Sequence, residues 1–111
     1  MKPIGDIIGI SALLEQTAEE CNELAKACLK LSRKFRNENP TPLTFDEIMD
    51  NLNEEIADIS LCIEELRQAK VIDPQTIESI YATKEKRWYE RLKEAGDFGD
   101  YLYDFHTEML M

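Results

Sequence analysis

The sequence predicts an all-α fold, an antiparallel helical bundle completed by oligomerisation. Three observations lead there. Apolar residues recur at three- and four-residue spacing through three long stretches. Start and stop signals stand where those stretches begin and end. Four glycines and four prolines in 111 residues leave little material for the turns of an all-β chain. The length fits one domain over residues 1–111, with a helical core at about 7–95 and a tail at 96–111.

The first helix is expected from about Ile7 to Phe35, carrying Leu14, Cys21, Leu24, Cys28, Leu31 and Phe35 on its apolar side. It should stop in "RNENPTP", where asparagines and prolines disfavour helix. Thr44-x-x-Glu47 then reads as a capping box, the threonine oxygen taking a free amide and the glutamate reaching back. The second helix follows over about Phe45 to Ala69, with Ile48, Leu52, Ile56, Ile59, Ile63 and Leu66 facing inward. Asp73 before Pro74 gives the third start signal, and Gly96 follows the expected end near Glu94. The aromatic and methionine-rich tail "DFGDYLYDFHTEMLM" suits a short fourth helix against the bundle or against a second subunit. Three helices leave apolar surface uncovered, which points to self-association as a dimer or tetramer.

Charge narrows the partners. Thirteen basic against 23 acidic residues give a formal charge of −10, a field that repels nucleic-acid backbone and anionic membrane. Cys21, Cys28 and Cys62 are odd in number, form no Cys-x-x-Cys pair and suit a reducing cytoplasm. His106 is the single histidine and stands far from any cysteine, so no zinc set can be assembled. The start "MKPIGDIIGI" is a poor signal peptide, and no apolar run approaches the length of a membrane span.

Two stretches hold the chemistry: "EECNELAKACLKL" from Glu19 and "EEIADISLCIEEL" from Glu54. At roughly 100° per residue, Glu23 falls about 60° from Glu20, and Asp58 about 60° from Glu55. Both pairs border the apolar side of their helix, whereas Glu19 and Glu54 point to solvent. Carboxylates at a packed boundary lose solvation and repel one another. A hard divalent cation, Mg²⁺ or Mn²⁺, relieves both penalties, with water and substrate phosphate as its remaining ligands. The bland alternative is a solvated face, since Glu-x-x-Glu arises by chance in acidic helices. A di-iron bundle would require Glu-x-x-His, which this chain lacks.

"EECNELAKA" followed by "EEIADI" resembles the MazG-type, all-α nucleoside triphosphate pyrophosphohydrolases, a family marked by Glu-x-x-Glu on one helix and Glu-x-x-Asp on the next. The likeness covers about residues 13 to 93, including the "NPTP" loop and "KEKRWYERL" on the third helix. The resemblance implies that Glu20, Glu23, Glu55 and Asp58 bind Mg²⁺, with Mn²⁺ as an alternative, and carry catalysis. It implies cleavage of the α–β phosphate bond of a (deoxy)nucleoside triphosphate, serving nucleotide-pool cleaning.

Lys84 and Arg91 lie seven residues apart on one side of the third helix with Ile77 and Trp88, and Arg87 is one step round. Similar proteins use cations on this helix to hold outer phosphates; the alternative is a solvated face paired with Glu85, Glu90 and Glu94. Trp88 and Tyr81 offer a surface for base stacking, or serve as core aromatics at helical spacing. Lys26, Lys30, Arg33 and Lys34 suit a helix C-terminus for dipole reasons alone. Gln16, one turn before Glu20, is a further candidate for ligand contact. The rival reading is a non-catalytic, acidic helical interaction module that retains the family pattern.

Overall fold

The computed structural model describes residues 1–38 and 41–96. Its elements are α1 (Ile4–Ile8), α2 (Ile10–Arg36), α3 (Phe45–Gln68) and α4 (Pro74–Ala95), with no strand among the described residues. The chain divides into two compact units, Met1–Ile72 and Asp73–Met111. The expected tail helix beyond Gly96 lies outside the described residues.

The first unit is a helical hairpin with a short N-terminal helix. Phe35 near the end of α2 meets Phe45 at the start of α3, ring centroids 5.1 Å apart, and Lys34 Nζ sits 5.5 Å from the Phe45 centroid. Glu20 and Glu55 meet further along the same two helices. The pair is therefore antiparallel. Leu13, Ala27 and Leu31 of α2 are buried, as are Ile48, Cys62 and Leu66 of α3. Half-buried Thr17, Glu20 and Leu24 fill the spaces between the first set, and Leu52, Glu55 and Ile59 between the second. Both series advance by three or four residues, the heptad seam of knobs-into-holes packing.

That seam is turned from the apolar side expected for each helix. Leu24, Leu31, Ile48, Leu52, Ile59 and Leu66 do face inward, but Leu14 is 45% exposed, Ile56 45% and Ile63 49%, and Cys21 and Cys28 are exposed. The apolar residues of each helix occupy two adjoining stripes, and a single partner helix covers one of them. Periodicity reports their width, not which stripe the neighbour takes.

The first helix also starts differently. Gly9, at φ 90 and ψ 157, holds a backbone conformation essentially reserved for glycine and separates α1 from α2. Beyond Arg36, Asn37 takes the left-handed conformation, and amides of Asn37 and Glu38 return to the carbonyls of Lys34 and Arg33. Lys70 closes α3 in the same way at φ 61. Thr44 caps α3 as expected by accepting from the Glu47 amide at 3.2 Å. The Glu47 carboxylate, however, accepts from the Thr44 hydroxyl at 3.2 Å, so the return arm of the box ends on side chain.

The second unit contains α4. Asp73 accepts from the Gln75 amide at 3.1 Å and the Thr76 hydroxyl at 2.7 Å, and Pro74 occupies the first helical position. These donors, the Thr76 hydroxyl above all, hold the Asp73 carboxyl below its usual range. Gly96, φ 82, ends the helix.

Candidate metal centre

Each acidic pair places one member in the hairpin seam and one at its edge. Glu20 and Glu55 occupy heptad positions held elsewhere by Leu13 and Ala27 on α2 and by Ile48 and Cys62 on α3. Glu23 and Asp58 lie about 60° away on their respective helices. Antiparallel helices that face each other are related by a local twofold axis, so displacements of the same sense reach the same side. Glu23 and Asp58 therefore open onto one face of the hairpin. Leu14, Cys21 and Cys28 of α2 and Ile56 and Ile63 of α3 are displaced in the opposite sense and share the other face.

One carboxylate oxygen from each of Glu20, Glu55 and Asp58 lies within 4.8 Å of the others. Glu20 is held by Gln16, whose Nε2 donates to its Oε1 at 2.8 Å. Gln16 thus supports an acid side chain. Glu23 is exposed and pairs with Lys26 at 3.3 Å, outside the converging group. Glu55 carries the strain of the arrangement. Its Oε2 is shielded from solvent and has no hydrogen-bond partner. Burial first, then the charges of Asp58, Glu20, Glu23 and Glu54, push its carboxyl above the ordinary value.

Such a set can do two things: take up protons, or share a cation. All three converging donors are carboxylate oxygens, the ligand class of hard divalent ions and not of soft metals. A cation shared by the three would cancel their mutual repulsion. The donor set fits Mg²⁺ or Mn²⁺.

The α4 candidates belong to the second unit. Lys84, Arg87, Trp88 and Arg91 are all exposed, Trp88 by 67% and Tyr81 by 64%. Among the described residues, no ion pair engages Lys84, Arg87 or Arg91. Tyr81 donates its hydroxyl to Glu85 at 3.3 Å. Neither aromatic is a core residue among the described residues.

Sequence reasoning passed over Glu65, a buried acid on α3 that accepts a hydrogen bond from the Ile4 amide. Its seven-residue spacing from Asp58 was the available signal. No helix among the described residues is long and apolar enough to cross a membrane. Comparison with protein-family models, curated proteins and solved structures finds no match in any of the three.

Proposed function

We propose that the protein is a metal-dependent nucleoside triphosphate pyrophosphohydrolase that cleaves the α–β phosphate bond to give a monophosphate and pyrophosphate. The observation that carries this reading is the convergence of one carboxylate oxygen each from Glu20, Glu55 and Asp58, with Glu55 also keeping a shielded oxygen that has no hydrogen-bond partner. The resemblance of the acidic motifs to the MazG-type family adds to it.

Glu20, Glu55 and Asp58 would hold Mg²⁺ or Mn²⁺, and Glu23 at the edge of the same face completes the acidic set. The bound ion would neutralise phosphate charge and polarise the α-phosphoryl group. One carboxylate of the set accepts a proton from the attacking water as the water oxygen bonds to the α-phosphorus and pyrophosphate leaves. Gln16 keeps Glu20 in place through its amide. The resemblance assigns Lys84, Arg87 and Arg91 to the outer phosphates, and the exposed Trp88 offers a surface for base stacking.

A screen of canonical and modified triphosphates with either metal, scored for pyrophosphate, tests the activity. Hydrolysis in ¹⁸O-water then decides the bond. Label in the monophosphate is expected; label confined to free orthophosphate would mean γ-cleavage. No release from any triphosphate favours the rival, a non-catalytic interaction module. That rival draws support from the exposed apolar face opposite the acids, with Leu14, Ile56 and Ile63 uncovered. The same face suits self-association under either reading.

A further inference from the structure

Glu65 is 8% exposed, and its two oxygens differ. Oε1 accepts from the Ile4 backbone amide at 3.3 Å, while Oε2 is shielded from solvent and has no hydrogen-bond partner. Ile4 is the first residue of α1, and the residue before it, Pro3, supplies no side-chain cap. A residue 61 positions away in sequence therefore caps this helix. Five residues are too few for a helix to persist in water without tertiary support.

The rest of the attachment is a close backbone approach and partial apolar burial. Gly5 is buried; a methyl group there would lie 3.2 Å from Leu13 Cδ2 and 3.7 Å from Ala69 Cβ. Glycine thus lets the α1 backbone approach the hairpin closely. Ile4, Ile7 and Ile8 are 40%, 66% and 46% exposed, so none of the three isoleucines of α1 is a core residue. At the other end, Gly9 takes its glycine-only conformation in open space, with nothing within 4 Å of an added methyl. One end of α1 is thus a glycine-only turn, and the other is held by a distant side chain.

Glu65 follows Asp58 by seven residues, and Leu13 precedes Glu20 by seven, so the Glu65 contact lies about 10 Å along the hairpin from the acids and towards the same face. We propose that α1 is a releasable strap, hinged at Gly9 and latched by Glu65 on the Ile4 amide, that closes one end of the acidic face. When the latch opens, that face lengthens by the ground α1 covered, and Leu13, Glu65 and Ala69 become accessible.

The Gly9 amide is the reporter, because it donates to the Gly5 carbonyl at 2.9 Å only while α1 is folded. Ile4→Pro deletes the latched N–H while keeping a residue suited to the first helical position. Ile4→Ala removes the same side chain and keeps the N–H. Amide exchange followed by NMR should be at least about tenfold faster at Gly9 in Ile4→Pro than in Ile4→Ala, the size expected for losing a hydrogen bond to a charged acceptor. Amides in the middle of α2 and α3 should be unchanged between the two. Glu65→Ala, which removes the acceptor instead, should speed Gly9 exchange like Ile4→Pro. Equal Gly9 rates in Ile4→Pro and Ile4→Ala would overturn the strap, as would a folded Glu65→Ala protein with Gly9 still protected.

Discussion

Glu55 and Glu65 stand ten residues apart on α3, and each hides one carboxylate oxygen from water without a hydrogen-bond partner. Their surroundings are opposite. Glu55 is faced by other acids, with Glu20 and Asp58 converging on it. Glu65 is faced by a donor, the first amide of α1. An orphaned oxygen costs stability in either place. On the readings proposed above, a cation would relieve the acids around Glu55, whereas at Glu65 the other oxygen, Oε1, latches α1 and Oε2 keeps no partner. On those readings the same local signature would mark a ligand site in one setting and a mechanical joint in the other. Neighbouring charge decides which.

The largest expected effect lies at the acidic end. Glu20→Gln or Asp58→Asn should lower turnover by about 10³-fold, the scale seen when an electrostatic partner of the reacting group is lost. Lys84→Ala or Arg91→Ala should act more mildly. Steady-state pyrophosphate release measures both, and activity surviving in Asp58→Asn would remove the acids from the chemistry.

Metal-linked stability separates the two glutamates. At a free metal concentration a hundredfold above its Kd, binding should stabilise the fold by about 2.7 kcal/mol, visible as a rise in Tm. Glu65→Gln should show the same rise as the unmodified chain, and Glu55→Gln should show much less. If both variants respond alike, the comparison between them collapses.

A smaller effect concerns pH in metal-free protein. The Glu55 carboxyl is raised by folding, so its contribution to stability is fully present below the ordinary value of 4.5 and lost as pH rises through its folded value. Stability should therefore climb as pH falls from neutrality towards 4.5. Below that window the trend reverses. Glu64, lowered to about 2 by its hydrogen bonds from Arg67 and Gln68, contributes stability above 4.5 that is lost as it is protonated. Asp73, also lowered, acts in the same direction below its ordinary 3.8. Chemical denaturation across pH should show the upper limb flattened in Glu55→Gln and the lower limb retained.

Much of this was legible in the sequence. The helix starts at Thr44 and Asp73 and the stops after Arg36 and at Gly96 follow from capping and breaking residues whose effect is local. Three of the four acids converge because i and i+3 spacing on facing helices fixes their side. The rest depends on non-local packing. Which apolar stripe α3 covers, and hence the exposure of Leu14 and Ile56, follows from the fit of two surfaces. Glu23 turns to Lys26, one of several rotamers open to an exposed side chain. Gly9 and Lys70 are different cases. Gly9 carried a breaker signal inside an otherwise regular apolar pattern, whereas a lysine in the left-handed region gives no compositional hint.

Titration of Mn²⁺ into the metal-free protein, followed by electron paramagnetic resonance, tests the central claim most directly. The free-ion signal should be depleted in the unmodified chain and in Glu65→Gln, and restored in Glu55→Gln as affinity falls. An undiminished free-ion signal in the unmodified chain, or equal depletion by Glu55→Gln, would contradict a metal centre built on Glu20, Glu55 and Asp58.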